Sequence, residues 1–364
     1  MYSQNDLDDA VASGAITLEA AASLRAFTDQ QRSSPAVDEE HFRLITGFND
    51  IFVSIAAAIL LFAVGWIGQS IGQNLGFVVD EAGPSPLAPA LIAGTAWGLA
   101  LFFTARRRMA LPSILLLLAL VGGVIAAAAL LGVLVVGESR LEGSGAQLLG
   151  SLIGTFAGGF GALAAWLHWR QFKVPITVAA GAASIAIIVV AVLAAVIGDT
   201  PQLKNILLAT VLLLGLGVFF YAMRWDSSDP ARITRRSDVA FWLHLLAAPM
   251  IVHPVFTLLG LNDGDATIGE GLVVIAIYIA LGIAALAIDR RALLVSALAY
   301  VLFALNELFE QFGAVSLNIA LTALVIGSAL LLLSAFWHQA RSAVVSRLPS
   351  GIRGHLPSLS PQPA

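Results

Sequence analysis

Residues 106–142, RRRMALPSILLLLALVGGVIAAAALLGVLVVGESRLE, decide the fold class. From Ala110 to Val136 the stretch has no charged residue, while three arginines precede it and Glu138 follows it. About 20 mainly apolar helical residues cross the roughly 30 Å hydrocarbon core of a bilayer, so residues 110–136 predict a transmembrane helix long enough to tilt or to break at Gly122-Gly123. Apolar runs between charge clusters recur along all 364 residues. They predict ten spans: 50–72, 87–105, 110–136, 146–169, 174–197, 203–225, 238–260, 268–288, 292–311 and 314–338, the boundary between the last two being the least defined. With 59% apolar and only 12% charged residues the chain is too apolar for a soluble globular enzyme, whose surface must still face water. The expected fold is an all-α polytopic integral membrane helix bundle.

Lysine and arginine orient such a bundle, because short cytoplasmic segments retain them. With an N-in and C-in arrangement, 17 of the 19 basic residues face the cytoplasm and only Arg140 and Lys204 lie outside. The outer loops are acidic instead, with Asp80, Glu81, Glu138, Glu142, Asp199, Asp263, Asp265 and Glu270. Trp166, Trp169, Trp225, Trp242 and Trp337 fall near cytoplasmic boundaries, where amphipathic indoles prefer to sit, whereas Trp66 and Trp97 are deeper and read as packing residues. The acidic start (Asp6, Asp8, Asp9) and the late first apolar run predict no cleavable signal peptide. Cysteine is absent, which excludes disulfides and thiolate chemistry.

Four parts follow along the chain. Residues 1–34 predict a cytoplasmic helical hairpin, with Gly14 ending one helix and Thr17 capping the next, and residues 35–49 an interfacial linker helix. The transmembrane bundle occupies 50–338. Residues 339–364 continue the last helix as an amphipathic tail that becomes disordered after Pro349 and whose basic face meets headgroups. Glycine followed by apolar residues and a basic turn recurs at Gly98 to Arg106, Gly161 to Arg170, Gly217 to Arg224 and Gly282 to Arg290, a pattern that either duplication or simple topology would give. GAITLEAAASLRAF (14–27), DEEHFRLITGFNDIFVSIAAAILLFAVGWIG (38–68) and the tail RLPSGIRGHLP (347–357) resemble the ends of uncharacterised bacterial polytopic membrane proteins of the domain-of-unknown-function type, which carry a short cytoplasmic N-terminal helical module. The resemblance covers about 80 residues; it implies the bacterial cytoplasmic (inner) membrane and supplies no activity or site residues.

Catalytic motifs are lacking: there is no phosphate-binding loop, HExxH or dinucleotide fingerprint. Gly68-Gln69-Ser70-Ile71-Gly72 matches the nucleophile-elbow pattern only by chance, since that motif needs a strand-to-helix turn. Ionisable groups inside spans are functional hypotheses by default. His244 and His253 on the seventh span are nine residues apart, hence on opposite faces, with Pro249 and Pro254 loosening the helix between and beyond them. On the ninth span Ser296, Tyr300 and Glu307 share a stripe with Asn306, Glu310 and Gln311 beside it, near the outer edge of the core. That group is either a helix end whose acids reach outer water or a polar cavity or gate. Gly150, Gly154 and Gly158 form a small-residue ridge for helix packing, a logic that Gly68, Gly72 and Gly76 extend. The Arg106-Arg107-Arg108 turn is explained by topology and anionic headgroups, and a net charge of −4 gives nucleic-acid binding no support.

Two readings of function remain from the sequence. One is a permease-like bundle for a small solute. The other is a non-enzymatic membrane scaffold or sensor that recruits a cytoplasmic partner through residues 1–34. No enzyme, metal or cofactor is expected; solute, energy coupling and homo-oligomeric state are left open.

Overall fold

The computed structural model describes residues 10–24, 48–80, 83–143, 145–229, 234–259, 268–291, 294, 298, 302, 318–353 and 356. The chain divides into two compact units, residues 1–43 and 44–364. In the first, residues 10–12 and 18–24 are helical, separated by a turn in which Gly14 takes φ +74° and donates its N–H to the Val11 carbonyl. Thr17 Oγ1 accepts the Ala20 N–H at 3.1 Å, satisfying one of the orphan donors at a helix start.

Every described secondary-structure element of the second unit is helical: α1 (Phe48–Asn74), α2 (Leu87–Phe103), α3 (Ala110–Val136), α4 (Ala146–Phe172), α5 (Ile176–Ile197), α6 (Leu203–Ser227), α7 (Arg235–Leu258), α8 (Ile268–Ile288), α9 (Asn318–Ala335) and α10 (Trp337–Val345), with single turns at Glu138–Leu141 and Ser350–Arg353. Helix is forced here because a chain in lipid must satisfy each backbone N–H and C=O internally. Among the described residues six helices, α1 and α3 to α7, are long and apolar enough to cross a membrane, or seven if the bent pair α9 and α10 is one span. This is a helical membrane protein. Of the ten expected spans, 292–311 lies almost entirely outside the described residues.

Packing runs opposite to that of a soluble core. Along α1 the buried positions are Asp50, Ser54, Ala57, Leu61, Gly65, Gly68 and Gly72, whereas Phe52, Ile59, Phe62 and Trp66 are exposed. Small residues let backbones approach, and dispersion gained there replaces the hydrophobic drive that lipid removes. Trp66 is 71% exposed, so it does not pack inside as its depth suggested; the inner positions of α1 are too tight for an indole. A Cβ on Gly68 would stand 2.8 Å from the Ala88 backbone of α2. The Gly122-Gly123 pair does not break α3 either. Gly123 instead meets α2, where a Cβ would lie 2.7 Å from the Pro89 carbonyl oxygen.

Consecutive hairpins build the bundle, α6 packing on α7, α4 on α5, and α2 on α3, with α7 the most enclosed of the long helices. Helix α7 runs unbroken through Pro249 and Pro254. Each proline lacks an N–H, which leaves the Leu245 and Met250 carbonyls without their helical donors. Gly215 of α6 lies directly over the second of these peptides: a Cβ there would meet the Met250 carbonyl carbon at 2.9 Å and its oxygen at 3.0 Å. Gly215→Leu is therefore expected to force α6 from α7 at a cost of about 1–3 kcal/mol, since backbone atoms cannot yield as a side-chain tip can. Gly217→Leu, with open space around it, should leave thermal unfolding of the detergent-solubilised protein unchanged.

The last helix does not continue into the tail as a straight rod. After Ala335 the chain turns at Phe336 and α10 departs at 74°. The bend seats Trp337 and Arg341 inside the protein, at 3% exposure each, and α10 packs on α8.

Candidate functional site

The segments 104–109, 173–175, 228–229 and 289–291 share one end of the bundle, as contacts between Trp97 and Phe172, among Ala165, Ile176 and Trp242, between Ala222 and Val239, and between Asp226 and Arg290 require. At this end the surface basic groups behave as expected of an interface. Arg106, Arg107 and Arg108 are exposed, and the cations of Arg170 and Lys173 lie over Trp166 and Trp169 at 5.1 and 5.2 Å from the ring centroids.

Arg290 is different. It is 2% exposed and lies against Asp226, itself 4% exposed, in the last turn of α6. The guanidinium donates from Nε to Asp226 Oδ2 at 3.2 Å and from Nη2 to Asp226 Oδ1, and Nη2 also reaches Ser237 Oγ at 3.1 Å and the Ser237 carbonyl at 3.3 Å. The wholly buried His244 completes the group, with Nε2 at 3.1 Å from Asp226 Oδ2 and its ring edge-on to Phe219.

Local structure explains the convergence. Asp229 Oδ2 accepts the Thr234 N–H at 2.9 Å and its hydroxyl at 2.7 Å, and Thr234 Oγ1 in turn caps the start of α7 at Arg236. Helix α7 then carries Ser237 and His244 seven residues apart, two turns along one face. On the other side, α8 ends in a Schellman turn: Asp289 N–H bonds to the Leu286 carbonyl and Arg290 N–H to the Ala285 carbonyl at 2.9 Å, with Asp289 in the left-handed region at φ +57°. The turn sends neighbouring side chains in opposite directions. Arg290 goes to α6 and α7, while Asp289 accepts Trp337 Nε1–H of α10 at 2.8 Å and faces Arg341 Nε at 3.6 Å. The Arg291 guanidinium covers the Trp337 ring at 4.8 Å.

A second buried histidine lies in the other half of the same end. His168 is fully buried, with Nδ1 at 3.0 Å from Thr177 Oγ1 and with the rings of Trp97 and Phe172 around it. Between α4, α5, α6 and α7 there is also a cavity of about 710 Å³ that lies wide open at the surface of the described residues. Gln147 and Ser151 are its polar groups, and small or aliphatic residues such as Ala183, Ala191, Leu246 and Met250 form the rest.

Of the residues singled out in the sequence, His244 enters the ionic cluster and His253 is exposed on the other side of α7. Gly158 and Gly154 face α5, where Cβ atoms would come within 2.8 Å of Ile188 and 3.3 Å of Ala191, while Gly150 lines the cavity instead of packing. Ser296, Tyr300, Asn306, Glu307 and Glu310 lie outside the described residues. Asp226, Ser237 and Arg290 were missed, because an arginine after a span reads as orientation. A signal existed: Asp226, Asp229, Asp238 and Asp289 are carboxylates on the basic side, against the trend that puts acids in the outer loops. No group of three His, Asp or Glu side chains is placed to hold a metal among the described residues. Comparison with protein families, with curated proteins and with solved structures finds no match for the chain.

Proposed function

We propose that the chain is a permease-like bundle that moves a small solute across the bacterial inner membrane, with ten spans and both termini in the cytoplasm. One observation carries this reading: α7 has the ionic cluster on one face and the cavity on the opposite face, with Pro249 between His244 and Met250. A continuous helix weakened by proline and placed between a closure and a cavity is the element that alternating access has to tilt. On this reading the basic end is cytoplasmic, the cluster closes it, and the cavity reaches toward the outer end through Leu141, Ala146 and Gln147. Lined mostly by apolar groups with one amide and one hydroxyl, the cavity suits a neutral molecule.

Liposomes containing the purified protein test the proposal by stopped-flow light scattering, with glycerol, erythritol, alanine and glucose as probes. At least one probe should enter faster than into protein-free liposomes, and Ala183→Trp, which fills the cavity, should return the rate to the protein-free value. Equal rates for all four with and without protein would remove the permease reading. The separate unit formed by residues 1–43 favours a second reading, a membrane scaffold or sensor with a cytoplasmic partner. Under the permease reading, protein lacking residues 1–34 keeps its uptake.

A further inference from the structure

We infer that the groove between α2, α3 and α4 holds one phospholipid of the leaflet opposite the basic turns, with its acyl chains in the groove and a phosphoethanolamine headgroup on the Glu138–Leu141 turn. The inference is independent of what the bundle carries.

Helices α2 and α4 both pack on α3 and leave an open groove of about 950 Å³ between them. Its floor is α3 from Leu120 to Val136, and its walls are α2 from Leu87 to Trp97 and α4 from Leu149 to Phe160. Helices α2 and α4 run toward the basic turns and α3 runs away from them, so Leu87, Val136 and Leu149 mark the opposite end. At 1.5 Å per residue the walls extend about 15 Å from that end, which is the depth of one leaflet, half of a roughly 30 Å core. The Trp97 ring, edge-on to Phe172, lies at the inner end. Every side chain lining the groove is apolar, the Trp97 indole N–H excepted, in contrast to the cavity that Gln147 and Ser151 line.

That composition and that depth determine the occupant. Inside a membrane the groove offers water nothing to bond, and if it stood empty its lining would forfeit dispersion contacts. Acyl chains supply them. A chain lying in the groove touches protein on three sides, whereas one against the exposed face of α1, at Phe52 or Phe62, touches it on one. The lipid in the groove is therefore held more tightly than its neighbours.

The turn at the mouth selects the headgroup. Residues Glu138–Leu141 lie between the floor and the α4 wall. Glu138, Arg140 and Glu142 are exposed there and make no side-chain hydrogen bond or ion pair among the described residues. Arg140 is also one of only two basic residues expected away from the basic end. A guanidinium binds phosphate through paired, charge-assisted hydrogen bonds, and the carboxylates on either side of it accept from a primary ammonium. A glycerol headgroup would leave those carboxylates facing an uncompensated phosphate, and a quaternary choline has no N–H to donate to them.

Native mass spectrometry of the purified full chain tests the inference. The protein is exchanged into lipid-free mild detergent and titrated with equimolar palmitoyl-oleoyl phosphatidylethanolamine, phosphatidylglycerol and phosphatidylcholine. One lipid should be retained per chain, phosphatidylethanolamine about tenfold over each of the others, as one charge-assisted contact gives. Gly94→Trp, which fills the groove from a position where a Cβ has open space, should abolish retention. Gly98→Trp, with equal space but outside the lining, should retain lipid as the parent does. Ala128→Trp fills the groove from its floor and replaces Gly94→Trp if that variant does not fold. Arg140→Gln should weaken retention of all three lipids about tenfold. Glu138→Gln with Glu142→Gln should remove the preference for phosphatidylethanolamine over phosphatidylglycerol. No retained lipid in the parent, a parent preference for either other lipid, retention unchanged by filling the groove, or equal retention by Arg140→Gln and the parent would overturn the inference. So would a dimer lost in Gly94→Trp and kept in Gly98→Trp, since a second copy of the chain would then occupy the groove.

Discussion

Asp226→Asn is expected to destabilise the protein by about 3–5 kcal/mol in unfolding of the detergent-solubilised chain, because it leaves the Arg290 guanidinium buried beside a neutral amide. The magnitude comes from desolvation. Arg290 directs one nitrogen to each carboxylate oxygen, with Nη2 also reaching the Ser237 hydroxyl and carbonyl, and at 2% exposure it has little water to turn to when the anion is lost. The intact pair, by contrast, contributes little net stability, since desolvating two charges offsets most of their attraction. Joint replacement, Asp226→Leu with Arg290→Met, should therefore recover most of the loss, with the lost Asp226–His244 and Arg290–Ser237 hydrogen bonds as minor costs. A double variant as unstable as Asp226→Asn would place the value of the site in its hydrogen bonds and not in its charges.

Trp337→Ala should cost about 3–5 kcal/mol, the range for removing a large aromatic side chain from a packed interior. The indole is 3% exposed among Ala248, Ala285, Leu286, Ile288 and Leu294, so it joins α7, α8 and α10. Its N–H also occupies Asp289, the residue that reverses the chain after α8. Trp337→Phe separates the two contributions. It keeps most of the ring volume and gives up one hydrogen bond, a loss of about 1.5–3 kcal/mol when the acceptor is a carboxylate. Equal effects of the two variants would mean that the hydrogen bond, and not the filled volume, holds α10 in place. Limited proteolysis beyond Val345 supplies an independent readout, because α10 released from α8 becomes a substrate.

Much of this architecture is legible before any coordinate. The 110–136 run is helical over that same range, and 268–288 likewise, because charge clusters at both ends leave the chain no other stretch of lipid-compatible length. Small-residue stripes also announce contacts, as Gly158 against α5 shows, but not which of them are occupied: Gly150 has the same spacing and faces a cavity. Tryptophan position misleads in both directions. Trp66 looks buried by depth and faces outward, and Trp337 looks interfacial and is enclosed. Depth along a helix is a property of sequence, whereas rotation toward a neighbour depends on what that neighbour can admit.

The arginines mark the limit. Their positions alone orient the expected spans, because the asymmetry of basic residues across a membrane is a one-dimensional quantity that can be read along the chain. Whether a given arginine meets headgroups or a carboxylate depends on partners far away in sequence, 64 residues in the case of Asp226 and Arg290. Arg170 and Arg290 both follow an apolar span and would be read alike. One lies over an exposed tryptophan and the other is buried in an ionic cluster. The difference arises from the left-handed turn at Asp289 and the bend at Phe336, which close the end of α8 against α6, α7 and α10 so that water cannot solvate the charge and a carboxylate must.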